Sequence, residues 1–256
     1  KDYTAAFDVE DIMIDHKIYH TMRVAENAER IALSSGLDRS DADYAWLLGL
    51  LHDFGRFEQV KRYGTFSDIH SVDHAELGAD ILFKDGEIKR FIPAGFNPDD
   101  STLTETAIRL HNKLLLPEDQ DDRTRFFCNL LRDADKIDIL RVVQEIPLKQ
   151  RAGKGKDFLK KKNEASATVM EYVYSHRCIP RKYVESGFEL HISHICMAFE
   201  LVFEESRRIV AEQGFLDKLL SPVDENGEYL WNESERIQLK ILENEVEKFL
   251  TDKDRG

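Results

Sequence analysis

One stretch constrains the chain more than any other. Trp46-Leu47-Leu48-Gly49-Leu50-Leu51 is apolar without interruption and stops abruptly on His52-Asp53-Phe54-Gly55-Arg56. A helix that is apolar on every side is buried on every side, so this segment belongs in the middle of whatever the chain builds. Its end carries an imidazole beside a carboxylate, and buried polar groups are costly unless something compensates them. Two compensations are open. The helix end can just reach solvent, with His52 and Asp53 hydrogen-bonded to backbone. Alternatively, a metal cation can take imidazole nitrogen and carboxylate oxygen together, which also suits the negative end of the helix dipole. Gly55 is then the expected helix C-cap.

The remaining composition favours helices around this segment. The 256 residues suffice for one large domain, or one domain with an extension. Hydrophobic residues make up 42% and charged residues 33%, as expected of a soluble globular chain. Gly and Pro are sparse, which favours helix. A net charge of -13 argues against a sequence-independent nucleic-acid binder. It leaves room for a small anionic substrate held by a local basic cluster. Cys128, Cys178 and Cys196 form no C-x-x-C pair. With no signal-peptide pattern and no run of ~20 apolar residues, the expectation is a cytoplasmic protein away from membranes.

Taken in order, Tyr19–Ala32 predicts an amphipathic helix with Val24, Ala25, Ala28, Ile31 and Ala32 inward, ended by Gly36. His20 opens it on the inward stripe. Ser40 is the expected N-cap of the buried helix. Glu58–Asp68 reads as a polar loop, either an ordinary connection or a place to hold substrate. His74–Leu82 is a short helix in which Gly78 permits close packing. Residues 84–100 are turns. Thr102-x-x-Glu105 reads as a capping box opening a helix with Leu103, Ala107, Ile108, His111, Leu114 and Leu115 inward, stopped by Pro117. Asp122–Val143 is the next helix, ending before Pro147, with Asp135 beside Ala134 and therefore inward. Arg151–Asn163 is basic and reads as a solvated segment or a cover for an anion site. Ala165–Tyr174, Leu190–Gln213 and Glu233–Leu250 are further helices. His191 and His194 lack the Glu of the zinc-protease pattern and are read as structural.

The inward-facing polar residues, His20, His52, Asp53, His74, His111 and Asp135, add up to four imidazoles and two carboxylates with no thiolate. That set suits two octahedral-leaning ions better than one tetrahedral structural zinc. At this point the sequence resembles the HD superfamily of metal-dependent phosphohydrolases. The matching pieces are Tyr19-His20-Thr21, Leu50-Leu51-His52-Asp53-Phe54-Gly55-Arg56, His74-Ala75-Glu76-Leu77-Gly78-Ala79, His111, and Asp133-Ala134-Asp135-Lys136.

The resemblance implies an all-α fold, a helical bundle of the HD and phosphodiesterase type with a helical C-terminal extension. The expected division is 1–150 for the metal-binding domain and 151–256 for the extension. It also implies one metal on His20, His52, Asp53 and Asp135, and a second on His74 and His111 with Asp53 bridging. The cofactors expected are one or two divalent metal ions, iron or manganese first, with magnesium, nickel, cobalt or zinc as alternatives. The expected activity is hydrolysis of a small phosphoester by a metal-activated hydroxide, with a small phosphorylated substrate as partner. The alternatives are a di-iron oxygenase of the inositol- or phosphonate-oxygenase type and a non-catalytic sensor. The Gly-Tyr-Pro motif of cyclic-dinucleotide phosphodiesterases is absent. Arg56 and Lys136 adjoin the ligands and are candidates for binding phosphate. Each has a plainer alternative: for Arg56 a salt bridge to Asp135 or another carboxylate, and for Lys136 pairing with Asp133.

Overall fold

The computed structural model describes residues 12–92, 98–146, 164–223 and 226–252. Within them the regular structure is helical with no strand, and the one β-bridge pairs Val223 with Tyr229. The fold is all-α, as expected. No described helix is long and apolar enough to cross a membrane. Pro147 and the basic stretch Arg151–Asn163 lie outside the described residues. The chain divides into two compact units, Lys1–Asp135 and Lys136–Gly256.

The first unit comprises α1 (Ile12–Ser34), α2 (Arg39–Leu51), α3 (Phe54–Tyr63), α4 (His74–Ala79), α5 (Pro98–Leu110) and the first half of α6 (Asp122–Glu145). Short 3-10 turns at Asp68–His70 and Glu87–Arg90, and one π-turn at Asp80–Lys84, join them. Because α1 begins at Ile12, His20 lies well inside it rather than at a helix start. The N-cap of α2 is Asp38, whose carboxylate accepts from the Asp41 N–H, so Ser40 sits inside the helix.

Two glycines set the spacing of these helices. A Cβ on Gly49 would lie 2.5 Å from the Ala25 Cα, so only glycine lets α2 approach α1 this closely. A Cβ on Gly55 would lie 2.2 Å from the His74 carbonyl oxygen and 2.6 Å from the Gly78 nitrogen. Gly55 is therefore a packing residue of α3 against α4, not the C-cap expected. His52 keeps helical angles and Asp53 alone turns the chain (φ -99°, ψ 19°), so α3 restarts at once. Glu58–Tyr63 is consequently helical, and the loop begins only at Gly64 (φ 63°). Gly78 does serve close packing, as its position suggested.

α5 starts at Pro98, where proline's missing N–H costs nothing. This places Thr102-x-x-Glu105 within the helix. α5 ends at Leu110, so the inward stripe ends too: His111 stays buried, while Leu114 and Leu115 are 45% and 81% exposed. Under α2 to α5 lies a core of Leu51, Phe54, Ala79, Leu82, Ile88 and Ile108, with the Phe91 ring edge-on to Phe54 at 5.4 Å.

The second unit contains α7 (Ala167–Tyr174), α8 (Gly187–Ile195), α9 (Glu204–Gln213), α10 (Phe215–Leu220) and α11 (Glu233–Thr251). The single helix expected over Leu190–Gln213 is broken by a 3-10 segment at Cys196–Glu200 and by extended Leu201. Nearly every residue from Ile195 to Phe203 is apolar, and one helix stripe cannot bury them all. α11 opens on a reciprocal capping box between Asn232 and Glu235. His191 is buried, its Nε2 2.7 Å from the Leu219 carbonyl oxygen, a structural contact.

Candidate metal centre

The six inward-facing polar residues arrive on five pieces of the first unit. His20 comes from α1, His52 and Asp53 from the α2–α3 junction, His74 from the first position of α4, His111 from just beyond α5, and Asp135 from α6. All six are buried. Asp53 divides them into two groups. Its Oδ2 lies 3.4 Å from His20 Nε2 and 3.4 Å from His52 Nε2. Its Oδ1 lies 3.3 Å from His74 Nε2 and 3.7 Å from His111 Nε2. Asp135 joins the first group, with Oδ1 3.2 Å from His20 Nε2 and 3.7 Å from His52 Nε2. The arrangement is two adjacent nests sharing one carboxylate.

The other ring nitrogens decide what these nests can do. His52 Nδ1 is 2.7 Å from the Gly49 carbonyl oxygen, His111 Nδ1 is 2.7 Å from that of Ile108, and His74 Nδ1 is 2.7 Å from Asp68 Oδ2. Carbonyls and carboxylates only accept, so these three Nδ1 atoms carry a hydrogen, and in a neutral ring the Nε2 atom then presents its lone pair. His74 and His111 nevertheless place their Nε2 atoms 3.0 Å apart. Two lone pairs facing each other at that distance repel, and a cation bound by both relieves the repulsion. Burial pushes His74 down to about 4, against the pull of Asp68, so its ring is neutral at neutral pH. Burial alone would raise the Asp53 carboxyl, but the charges and donors around it, the Lys17 ammonium foremost, outweigh burial and hold it well below the usual range. Asp135 is likewise held low, with His20 and His52 overcoming burial. Carboxylates and imidazoles in this arrangement form the donor set a divalent cation takes. His20, His52 and Asp135, and likewise His52, Asp53 and His111, present ligand atoms close enough to hold one ion.

The structure adds residues that the sequence reading missed. Lys17, one helical turn before His20, puts Nζ 2.6 Å from Asp53 Oδ2. Its i, i+3 spacing from His20 is the signal the sequence offers, hidden when periodicity places the helix start at Tyr19. Asp68 receives the His74 Nδ1–H on Oδ2, while its Oδ1 accepts from Arg56 Nη1 at 2.7 Å and Gln59 Nε2 at 2.9 Å. Asp73, the N-cap of α4, accepts from Ala75 and Glu76 N–H, and also from Asn112 at 2.8 Å and Lys113 at 2.6 Å. That carboxylate ties the segment bearing His74 to the turn bearing His111. Asp68, Asp73 and His74 also cluster closely enough to suggest an ion site, but the oxygens of both aspartates are already taken by these donors.

Arg56 finds its partners in the plainer of the two expected ways. Nη1 donates to the Phe66 carbonyl at 2.6 Å, to Gln59 Oε1 at 2.8 Å and to Asp68, while its buried Nε lies 3.6 Å from Asp53 Oδ1. Lys136, the first residue of the second unit, pairs with Glu200 Oε2 at 3.1 Å, a carboxylate that sequence spacing did not suggest.

No curated protein and no solved structure matches the chain. A family model does: the one described as the HD domain covers residues 18–146, half of the chain and every residue of the two nests. The chain belongs to the HD domain family.

Proposed function

We propose that this protein is a metal-dependent phosphohydrolase with a dinuclear centre, acting on a small phosphoester. The observation that carries the reading is the pair of buried imidazoles, His74 and His111, whose Nε2 atoms face each other at 3.0 Å beside Asp53 Oδ1 while Asp68 and the Ile108 carbonyl hold their Nδ1 atoms. In this reading His20, His52, Asp53 and Asp135 hold one metal, and Asp53, His74 and His111 hold the second. Iron or manganese suits a mixed imidazole and carboxylate set. When bound, such metals lower the pKa of a water toward neutrality and draw charge off a phosphoryl oxygen.

The chain's own residues do the rest. Asp53 gives one oxygen to each nest, which fixes their separation. Lys17 is the cation best placed for an anionic substrate. It reaches Asp53 and keeps its side chain 21% exposed, whereas Arg56 is engaged by the loop that follows α3. On a chain of net charge -13 a substrate phosphate needs such a local cation.

Elemental analysis of protein purified without chelator tests the reading, together with hydrolysis of p-nitrophenyl phosphate and its bis-ester. Close to two equivalents of metal and measurable hydrolysis are expected in the parent. Loss of both, with the helical circular dichroism kept, is expected in His52→Ala and Asp53→Ala. Full activity in both variants overturns the assignment. Oxygen consumption by the iron-loaded protein, without phosphate release, would replace it with the oxygenase reading.

A further inference from the structure

The histidines facing the two nests are not anchored alike. His52 and His111 donate Nδ1–H to backbone carbonyls within their own helical segments, so helix geometry alone sets their tautomers. His74 has no such carbonyl. As the first residue of α4 it turns instead to Asp68, a side chain on the loop between α3 and α4, at 2.7 Å. That carboxylate is in turn oriented from behind, because Arg56 Nη1 and Gln59 Nε2 both donate to its Oδ1. Gln59 is fully buried, and its Nε2 also lies 2.9 Å from Ser71 Oγ and from the Val72 carbonyl oxygen, so it shares its two hydrogens among acceptors of this one loop.

We infer that Asp68 is the positioning residue of the second nest: it fixes the His74 tautomer with the hydrogen on Nδ1 and thereby leaves Nε2 open to a cation. The inference rests on the metal-dependent reading above for its consequence, though not for its geometry. The chemistry of the Asp68→Asn change makes it specific. Arg56 and Gln59 offer only donors, so the position of Oδ1 must keep an oxygen. The asparagine amide nitrogen then falls opposite His74 Nδ1. An NH2 group donates, so Nδ1 must accept, and the ring hydrogen moves to Nε2. There it can donate to Asp53 Oδ1, 3.3 Å away. The variant is thus satisfied in hydrogen bonds and should fold, yet its His74 can no longer ligate a metal. In metal sites, loss of such an orienting carboxylate weakens binding about ten- to a hundredfold.

Two readouts test this. The first is the 15N tautomer of His74 by long-range 1H–15N correlation in metal-stripped protein at about pH 8, where imidazoles are neutral. The parent should show Nδ1–H and Asp68→Asn should show Nε2–H. Ser71→Ala disturbs the same loop but not the Asp68–His74 contact, and should keep the parental tautomer. An Nε2–H tautomer in the parent, or Nδ1–H retained in Asp68→Asn, overturns the inference, and neither measurement needs bound metal. The second readout is titration with Mn2+ alone. Asp68→Asn should lose affinity for one equivalent by about ten- to a hundredfold while the other equivalent binds as in the parent. Equal binding of both equivalents in the variant overturns the inference. A parent that takes up no Mn2+ overturns the metal-dependent reading instead, and the tautomer measurement then still decides the role of Asp68.

Discussion

Asp53 is the residue on which the site turns, because its two oxygens serve different histidines. Its neighbour in function, Lys17, leads to a prediction. In Lys17→Met, metal content should be unchanged, since no nest loses a ligand. The kcat/KM for a phosphoester should fall about tenfold or more, a change of ~1.4 kcal/mol or more in transition-state binding. An unchanged kcat/KM removes Lys17 from the substrate side of the site. At this scale much was legible. His20, His74, His111 and Asp135 each interrupt an apolar helical stripe, and an uncompensated polar residue in such a place is costly. Lys17 and Asp68 were not legible, because a lysine near a helix start and an aspartate in a polar loop look like ordinary solvated residues until their partners are known, Asp53 for Lys17 and the His74 ring for Asp68.

The helices are brought together by residues with no side chain. Gly55 lets α3 meet α4 so closely that a Cβ would fall 2.2 Å from the His74 carbonyl oxygen, which is backbone and cannot swing aside. Gly55→Ala should therefore cost about 1–3 kcal/mol in denaturant unfolding and should also shift His74, lowering metal stoichiometry. Gly64→Ala is the matched control. Its φ is 63°, but nothing lies near the added methyl, so only backbone strain of about 1–2 kcal/mol is expected. A Gly55→Ala protein with parental stability and full metal content would mean that α3 and α4 separate without consequence for the site. Helix existence was readable from periodicity; helix ends were less so. α1 starts before its expected first residue, α3 forms where a loop was expected, and α5 stops before Leu114. Helix ends are what local sequence specifies most weakly.

For the whole molecule, six buried polar groups converging in one unit cost stability that bound metal should return. Ligand binding to the folded state stabilises by mass action, about 2.7 kcal/mol at a hundredfold excess over Kd. Adding Mn2+ to metal-stripped protein should raise Tm, and a chelator should reverse the rise. The His52→Ala protein should respond less. No shift with any divalent ion would count against a metal centre. The sequence by itself determined the all-helical class, the buried helix that ends in His52-Asp53, and the identities of the polar residues that face inward. Those features follow from periodicity and from the cost of burying polar groups, both of which act locally along the chain. Only the tertiary structure decided that Asp53 Oδ1 and Oδ2 face separate sets of histidines, that Asp68 rather than a backbone carbonyl orients His74, and that Lys17 reaches the shared carboxylate. Apart from the Asp68–His74 contact, which depends on how the loop between α3 and α4 folds, these are distances between elements far apart in sequence. They are set by how closely Gly49 and Gly55 let the helices approach, which no local pattern encodes.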